Sequence, residues 1–420
     1  MSKFIIQGPC SLHGEISVSG SKNAALPIIA ATILAKGKFR ISNVPMITDI
    51  QNMLLILKSI GAEYTFSNNV LLLDNTNLKD LEPDSKIVKN IRASILLIGP
   101  LLSRFGKVKI AQPGGCFIGS RPVKTHFDAL KKLGSKIIEN EESYEIICTE
   151  LVGDEITLNE ISVTATENVL MAAVLASGNS RINLAACEPH IEDFCNFLVK
   201  MGAQITGIGT HTLSIEGVKN LNAIEYTIIP DQIEAGTFAI AAAASRGELT
   251  ISGFVAKHHF ILLKLFDEAN VRYEILNNNR IKVKPVKSIL PINKIRTDIY
   301  PNFASDLQAP MGILMTQAEG TSLIFETMFE GRLNYLNELN KMGADCVIKN
   351  SHEATITGPT PLFGSVIESL DLRAGATLLI AAFIAEGEST IENAQIIDRG
   401  YENIDIRLNN IGAKIRRVNS

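Results

Sequence analysis

One stretch of this 420-residue chain has the composition of a reactive loop: QPGGCFIGSRPVKTH, residues 112–126. Gly114, Gly115 and Gly119 let a backbone approach a ligand closely, and Pro122 is suited to open the helix that follows. Cys116 stands five residues before Arg121 and near that helix start, a setting that favours the thiolate and makes the sulfur a nucleophile. The other cysteines, Cys10, Cys148, Cys187, Cys195 and Cys346, read as small buried hydrophobes. Two further arginines sit at corresponding distances from a marker glycine: Arg332 is twelve residues after Gly320, and Arg399 is twelve after Gly387.

Those glycines belong to a repeat. Six apolar helical stretches each end in a glycine, at Gly37, Gly106, Gly178, Gly247, Gly320 and Gly387, spaced 69, 72, 69, 73 and 67 residues apart. A strand-like run follows each one (FRISNV, VKIAQP, RINLAA, LTISGF, SLIFET, STIENA), and then a second helix. That helix stops at Gly61, Gly134, Gly202, Asn270, Gly343 and Gly412, residues suited to a left-handed cap. A fixed period of this length means one supersecondary unit that cannot bury its own apolar face and must pack on its neighbours. The unit reads βαβαββ. Its first helices (AALPIIAATILA, ASILLIGPLL, AGTFAIAAAAS) are apolar all round and predict burial on every side, whereas the second helices are amphipathic. The repeat divides into three copies per half with a break near Pro230.

The copies differ where chemistry is expected. From the marker glycine to the second helix stop there are 24, 28, 24, 23, 23 and 25 residues, and the excess in copy two falls in the cysteine loop. A second address lies 11 to 15 residues ahead of the marker glycine, at the start of each first helix. Lys22, Arg92 and Arg373 occupy it in copies one, two and six, and Glu167, Glu234 and Asp306 in the others. Helix N-termini disfavour cations by about 0.3–1 kcal/mol, so three cations there violate a local rule, as residues of an anion site do. Glu167 and Glu234 are explained as helix-start residues; for Asp306 that reading and a functional one stand equal. Lys22, Arg92, Arg121, Arg332, Arg373 and Arg399 together imply a substrate with several anionic groups.

Other classes are excluded. The chain is 46% hydrophobic, yet its apolar runs are shorter than the roughly 18 residues of a membrane span. The N-terminal MSKFIIQGPC has no signal-peptide stretch, so a soluble, cytoplasmic protein is expected. A net charge of −4 gives no support for nucleic acid or an anionic membrane as partner. No zinc-type spacing is present, and Cys187-x-x-His190 reads as a loop, so neither metal nor cofactor is expected. There is no GxxxxGK[ST], GIGTHT reads as a hairpin turn, and His190, His258 and His259 read as surface or loop histidines.

The stretches SGSKNAALPI, IRASILLIGPL, QPGGCFIGSRPV, SVTATEN, EPHIEDFCNFLVKMGA, IPDQIEAGTF, SDLQA, FEGR, DLRAGATL and IDRGYENI resemble the UDP-N-acetylglucosamine 1-carboxyvinyltransferase family of enolpyruvyl transferases. The resemblance covers essentially the whole chain. It implies an α/β fold of two inside-out α/β barrel-like globules with six βαβαββ repeats, three per domain: residues 22–229 in one, and 1–21 with 230–420 in the other. It implies a substrate cleft between them, with phosphoenolpyruvate and UDP-N-acetylglucosamine as small-molecule substrates. In the family reaction the sugar 3′-hydroxyl adds to C2 of phosphoenolpyruvate as C3 is protonated, and phosphate then leaves as C3 loses a proton.

By resemblance Cys116 is the acid at C3, able also to hold the pyruvyl group covalently, and Asp306 is the base near the hydroxyl. Lys22, Arg121 and Arg399, with Arg332 and Arg373, would neutralise the phosphate and carboxylate, and Asn23 would bond the intermediate. Arg92, Arg121, Pro122, Val123, Lys124, Thr125, Ser162, Val163 and Met328 would contact the sugar nucleotide. Four positions depart from the family pattern: Glu160 for lysine, Thr164 for glycine, Lys124 for aspartate and Gly331 for asparagine, which weakens the acceptor assignment more than the chemistry. The alternatives are a transferase that makes enolpyruvylshikimate phosphate, whose family lacks the PGGC loop, and an inactive nucleotide-sugar-binding paralogue.

Overall fold

The computed structural model describes residues 2–114 and 123–419, so the expectations for Gly115, Cys116, Gly119, Arg121 and Pro122 fall outside the described residues. Each copy of the repeat contributes one sheet, giving six among those residues. Copy three shows the pattern. Glu155–Thr157 runs parallel to Asn179–Asn183, which pairs antiparallel with Thr212–Glu216, and Gln204–Thr206 completes the hairpin at the far edge. Helix Val163–Ala173 joins the two parallel strands, and helix Pro189–Met201 leads into the hairpin.

Chain order and sheet membership part company at three places. His13–Ser17, the strand ahead of copy one, lies parallel to Glu248–Ser252 in the sheet of copy four. Glu225–Thr227 takes the vacated position beside Lys38–Ser42. Copy six has only one hairpin strand of its own, Ile415–Asn419. The N-terminal strand Ser2–Gly8 fills the gap, antiparallel to it on one side and to Gly387–Glu392 on the other. Copy two has three described strands, Lys107–Ala111, Ser143–Ile147 and Lys136–Glu139. Its leading segment is tied instead by the ion pairs Lys107–Asp80 (3.0 Å) and Lys109–Glu82 (3.2 Å).

The described residues form two compact units, 20–114 with 123–229 (the first unit) and 2–19 with 230–419 (the second). Each has its own apolar core. In the second unit the first helices of its copies, Gln232–Ala244, Ser305–Thr316 and Leu372–Ile384, pack on one another and are buried almost throughout. In the first unit helix Ile98–Phe105 packs on Val163–Ala173, and helix Lys22–Ala31 meets the 3-10 segment Arg92–Leu97. Strands such as Lys38–Ser42 alternate buried with exposed residues, so the sheets turn one face to water and the other to the helices. Apolar helices inside and half-wet sheets outside are the inside-out α/β arrangement.

The second-helix stops adopt the left-handed conformation throughout. The five glycines have φ between +96° and +115°, and Asn270, in the glycine's place, has φ +60°. The marker glycines differ from expectation. Gly106 (φ +71°) caps its helix directly, but Gly37, Gly178, Gly320 and Gly387 lie past the helix ends, in links or at strand starts. In copy four Arg246 takes the positive φ (+51°), and Gly247 is needed for space, since a Cβ there would sit 1.9 Å from the Leu12 carbonyl oxygen.

Candidate functional site

In the second unit three of the expected residues meet. Asp306 is the second residue of helix Ser305–Thr316, whose N-cap Ala304 offers no side-chain acceptor. Arg332 donates through Nη2 to Asp306 Oδ1, and Arg373 donates through Nε to Asp306 Oδ2 at 3.3 Å. Both guanidiniums are nearly buried (5% and 6% exposed), while the Asp306 side chain keeps 27% of its surface.

Neighbours that sequence reading passed over fix this group. Arg332 Nε donates to Ser305 Oγ (3.2 Å), whose hydroxyl donates to the wholly buried Glu326 carboxylate at 2.9–3.0 Å. Glu326 also accepts the backbone N–H groups of Met328 (2.9 Å) and Phe329 (3.3 Å). Asp371 caps helix Leu372–Ile384 by accepting from Arg373 N and Ala374 N, and its Oδ1 lies 3.8 Å from Arg332 Nη1. Arg373 Nη1 donates to the Tyr401 hydroxyl at 3.3 Å, and that hydroxyl is 3.2 Å from Thr237 Oγ1. Burial alone would push the Arg373 guanidinium down, but Tyr401, Asp306 and Asp231 outweigh it and hold the group above its ordinary value. The arginines expected to bind anions therefore already have acids beside them. Arg399, half-buried, ends the 3-10 turn Ala394–Arg399, and Met328 is exposed.

In the first unit Lys22 is the first residue of helix Lys22–Ala31, behind the N-cap Ser21. Its ammonium is 2.6 Å from Asp49 Oδ2, with side chains 10% and 4% exposed. Asp49 lies in the first turn of helix Thr48–Ser59, where a carboxylate suits the helix dipole. Asn23 follows Lys22 and is partly exposed. Arg92 departs from expectation in one respect: it opens a 3-10 segment, not an α-helix. Burial lowers its guanidinium from the ordinary value, opposed by Tyr144.

The remaining sugar-nucleotide candidates, Val123, Lys124 and Thr125 at one helix start and Ser162 and Val163 at another, are joined through His126. Its Nε2 is 3.1 Å from Thr164 Oγ1 and its Nδ1 is 2.9 Å from Asn168 Nδ2. Asn168 Oδ1 accepts from Gly99 N and its Nδ2 also donates to the Ile95 carbonyl, so the amide must present N–H to His126 Nδ1, which is therefore unprotonated. Burial, aided by the charge of Arg92, pushes His126 down to about 3. Thr164, a departure from the family pattern, thus has a structural partner. So has Lys124, whose ammonium pairs with Asp128. Glu160 is exposed, and Gly331 lies in the turn that leads to Arg332.

A pH dependence follows from His126. The imidazole is neutral in the folded chain and protonates near its ordinary 6.5 once unfolded. Stability is thus lost as pH falls below about 6.5, by about 1.4 kcal/mol per unit until about 3. Urea unfolding of His126→Gln between pH 6.5 and 5 should show a slope shallower by that amount; identical slopes would count against a neutral His126.

The described cysteines are free and, apart from the partly exposed Cys10, buried. Burial pushes Cys187 up to about 11 and Cys195 and Cys346 up to about 12, and raises Cys10. Such thiols are protonated and inert at neutral pH. His190 and His259 are buried, contrary to a surface reading; the ring nitrogens of His259 lie 2.9 and 2.8 Å from the carbonyl oxygens of Val255 and Gln232. Among the described residues no group of three or more His, Cys, Asp and Glu is placed to hold a metal ion, and no helix is long and apolar enough to cross a membrane.

Comparison with known proteins places this geometry among relatives. The family described as EPSP synthase (3-phosphoshikimate 1-carboxyvinyltransferase) matches residues 6–408. A UDP-N-acetylglucosamine 1-carboxyvinyltransferase of Borreliella burgdorferi is 43% identical, with all of both chains covered. The UDP-N-acetylglucosamine 1-carboxyvinyltransferase 2 of Caldanaerobacter subterraneus subsp. tengcongensis is 44% identical over the same full coverage. Among solved structures, the enolpyruvyl transferase NikO from Streptomyces tendae superposes with a TM-score of 0.90 at 24% identity, covering 100% of this chain and 99% of that one. EPSP synthase from Acinetobacter baumannii gives 0.79 at 18% identity, with both chains fully covered.

Proposed function

Because the chain belongs to the enolpyruvyl (carboxyvinyl) transferase family, we propose that it transfers the enolpyruvyl group of phosphoenolpyruvate to the 3′-hydroxyl of UDP-N-acetylglucosamine and releases phosphate. On this reading it catalyses the committed step of peptidoglycan precursor synthesis, in the cytoplasm. The observation that carries the choice of acceptor is that relatives bearing that name match the chain end to end at 41–44% identity. The pairing of two buried guanidiniums with one part-exposed carboxylate supports the chemistry.

In the proposed reaction Asp306 takes the hydroxyl proton as the sugar oxygen bonds to C2 of phosphoenolpyruvate, while Cys116 delivers a proton to C3. C3 then gives up a proton, the double bond re-forms and the C2–O bond to phosphate breaks. Lys22, Arg332, Arg373 and Arg399, with Arg121, offset the anionic charge of phosphate and carboxylate, and Asn23 bonds the adduct. Because phosphoenolpyruvate competes for the arginines that hold Asp306, arrival of the donor frees the base at the moment it is needed. Arg92, Val123, Lys124, Thr125, Ser162 and Val163, joined through His126, would serve the sugar nucleotide, and Met328 is assigned to it as well.

Phosphate release measured with phosphoenolpyruvate and each acceptor in turn tests this. Release with UDP-N-acetylglucosamine alone is the expected result. Release only with shikimate 3-phosphate would move the protein to the other branch of its family, and none with either would mark it as a binder. A phosphonate epoxide that mimics phosphoenolpyruvate should alkylate Cys116 selectively, since the shifted thiols of Cys10, Cys187, Cys195 and Cys346 are held protonated.

A further inference from the structure

The turn that carries Arg399 is held from the C-terminal strand. Arg417, in Ile415–Asn419, donates through Nη1 to Asp398 Oδ2 at 2.7 Å and through Nη2 to Asp398 Oδ1 at 2.8 Å. The same guanidinium reaches Asp405, in the first turn of helix Ile404–Asn409, through Nε at 3.3 Å and Nη2 at 3.2 Å. Its carbon lies 4.5 Å from the ring centroid of Phe4, a wholly buried residue of the N-terminal strand. A two-pronged, charge-assisted contact fixes direction as well as distance, and the ring beneath it fixes the plane of the fork.

We infer that Arg417 is a positioning residue for Arg399, acting through Asp398 and resting on the reading of Arg399 as an anion-binding side chain. Asp398 immediately precedes Arg399 in the 3-10 turn Ala394–Arg399, so whatever holds Asp398 sets the backbone from which Arg399 projects. Engaged by both prongs of Arg417, that carboxylate ties the turn to the C-terminal strand. Beyond Arg399 the chain is pinned again, by the Tyr401 hydroxyl against Arg373 and Thr237 and by Asp405 against Arg417. Anchors at 398, 401 and 405 leave Arg399 between two fixed points. The pair is part-exposed (24% for Arg417, 30% for Asp398) but bidentate and shared with Asp405, so some stability goes with it, and the positioning role is read from substrate binding.

Steady-state kinetics of the full chain, with phosphoenolpyruvate and acceptor varied separately, tests this. Arg417→Ala should raise KM for phosphoenolpyruvate about tenfold while leaving acceptor KM within about twofold. Arg417→Lys, which keeps charge but offers one prong, should fall between, and Asp398→Asn should reproduce Arg417→Ala without disturbing the strand. The exposed neighbour variant Arg416→Ala should match the parent. In an Arg399→Ala background, adding Arg417→Ala should change kcat/KM by less than about twofold. An equal loss in both backgrounds, or an unchanged KM in Arg417→Ala and Asp398→Asn, would overturn the positioning role. If Arg399→Ala alone leaves kinetics unchanged, the anion-binding reading falls, and this inference with it.

Discussion

Asp306→Asn is expected to lower turnover by at least about a hundredfold, the contribution of a positioned general base, while both substrates still bind. The asparagine side chain keeps the shape of the carboxylate but neither accepts the hydroxyl proton nor balances Arg332 and Arg373. Two consequences separate this from simple damage. The buried guanidiniums lose the counter-charge they share, with only Asp371 and Asp231 left nearby, so the variant should melt earlier than the parent. Phosphate, by supplying the missing charge, should raise its melting temperature more than it raises the parent's. Turnover that survives the substitution would remove Asp306 from catalysis, and a phosphate effect equal in both proteins would mean that the arginines do not receive the anion.

Lys22→Ala carries the second large effect, and it mixes stability with function. The ammonium lies 2.6 Å from Asp49, both side chains being nearly buried. Removing one partner of such a pair leaves a buried charge, at a cost of about 3–5 kcal/mol. Catalysis should fall by at least about a hundredfold as well, since a cation aimed at developing anionic charge is lost. The double variant Lys22→Ala/Asp49→Asn resolves the mixture. Discarding the stranded carboxylate should restore most of the stability measured in urea, yet phosphate release should stay low. Recovery of activity together with stability would assign Lys22 a structural role only.

Much of the scaffold was legible because burial and capping are local properties of a repeat. Apolar runs such as AGTFAIAAAAS could be read as fully buried helices, and Asn270 could be read as a left-handed cap because the other copies supply glycine there. Cations at helix starts stood out for the same reason: Lys22 and Arg373 violate a rule that can be checked against their own neighbours. Their partners were not legible. Asp49 is an ordinary helix-start acid until the fold brings it to Lys22, and Tyr401, Glu326 and His126 gain meaning only from groups many residues away. The identity of each sheet's edge strand escaped as well, because the exchange of His13–Ser17 for Glu225–Thr227 depends on which copies share a core. Marker glycines misled as helix stops because a helix end and the link after it look alike in sequence.

The placement of Ser2–Gly8 between Gly387–Glu392 and Ile415–Asn419 sets a schedule for the newborn protein. At translation rates of 5–20 residues per second the opening strand waits on the order of tens of seconds before either neighbour leaves the ribosome. Through that interval Phe4 and Ile6, wholly buried at the end, have no sheet to enter. The first unit, residues 20–114 with 123–229, by contrast has a core whose described members all lie between Ala24 and Ile228, so it can close first. A nascent chain halted short of Ile415 therefore retains a sticky, unpaired edge, the kind of surface that chaperones shield and that self-association exploits.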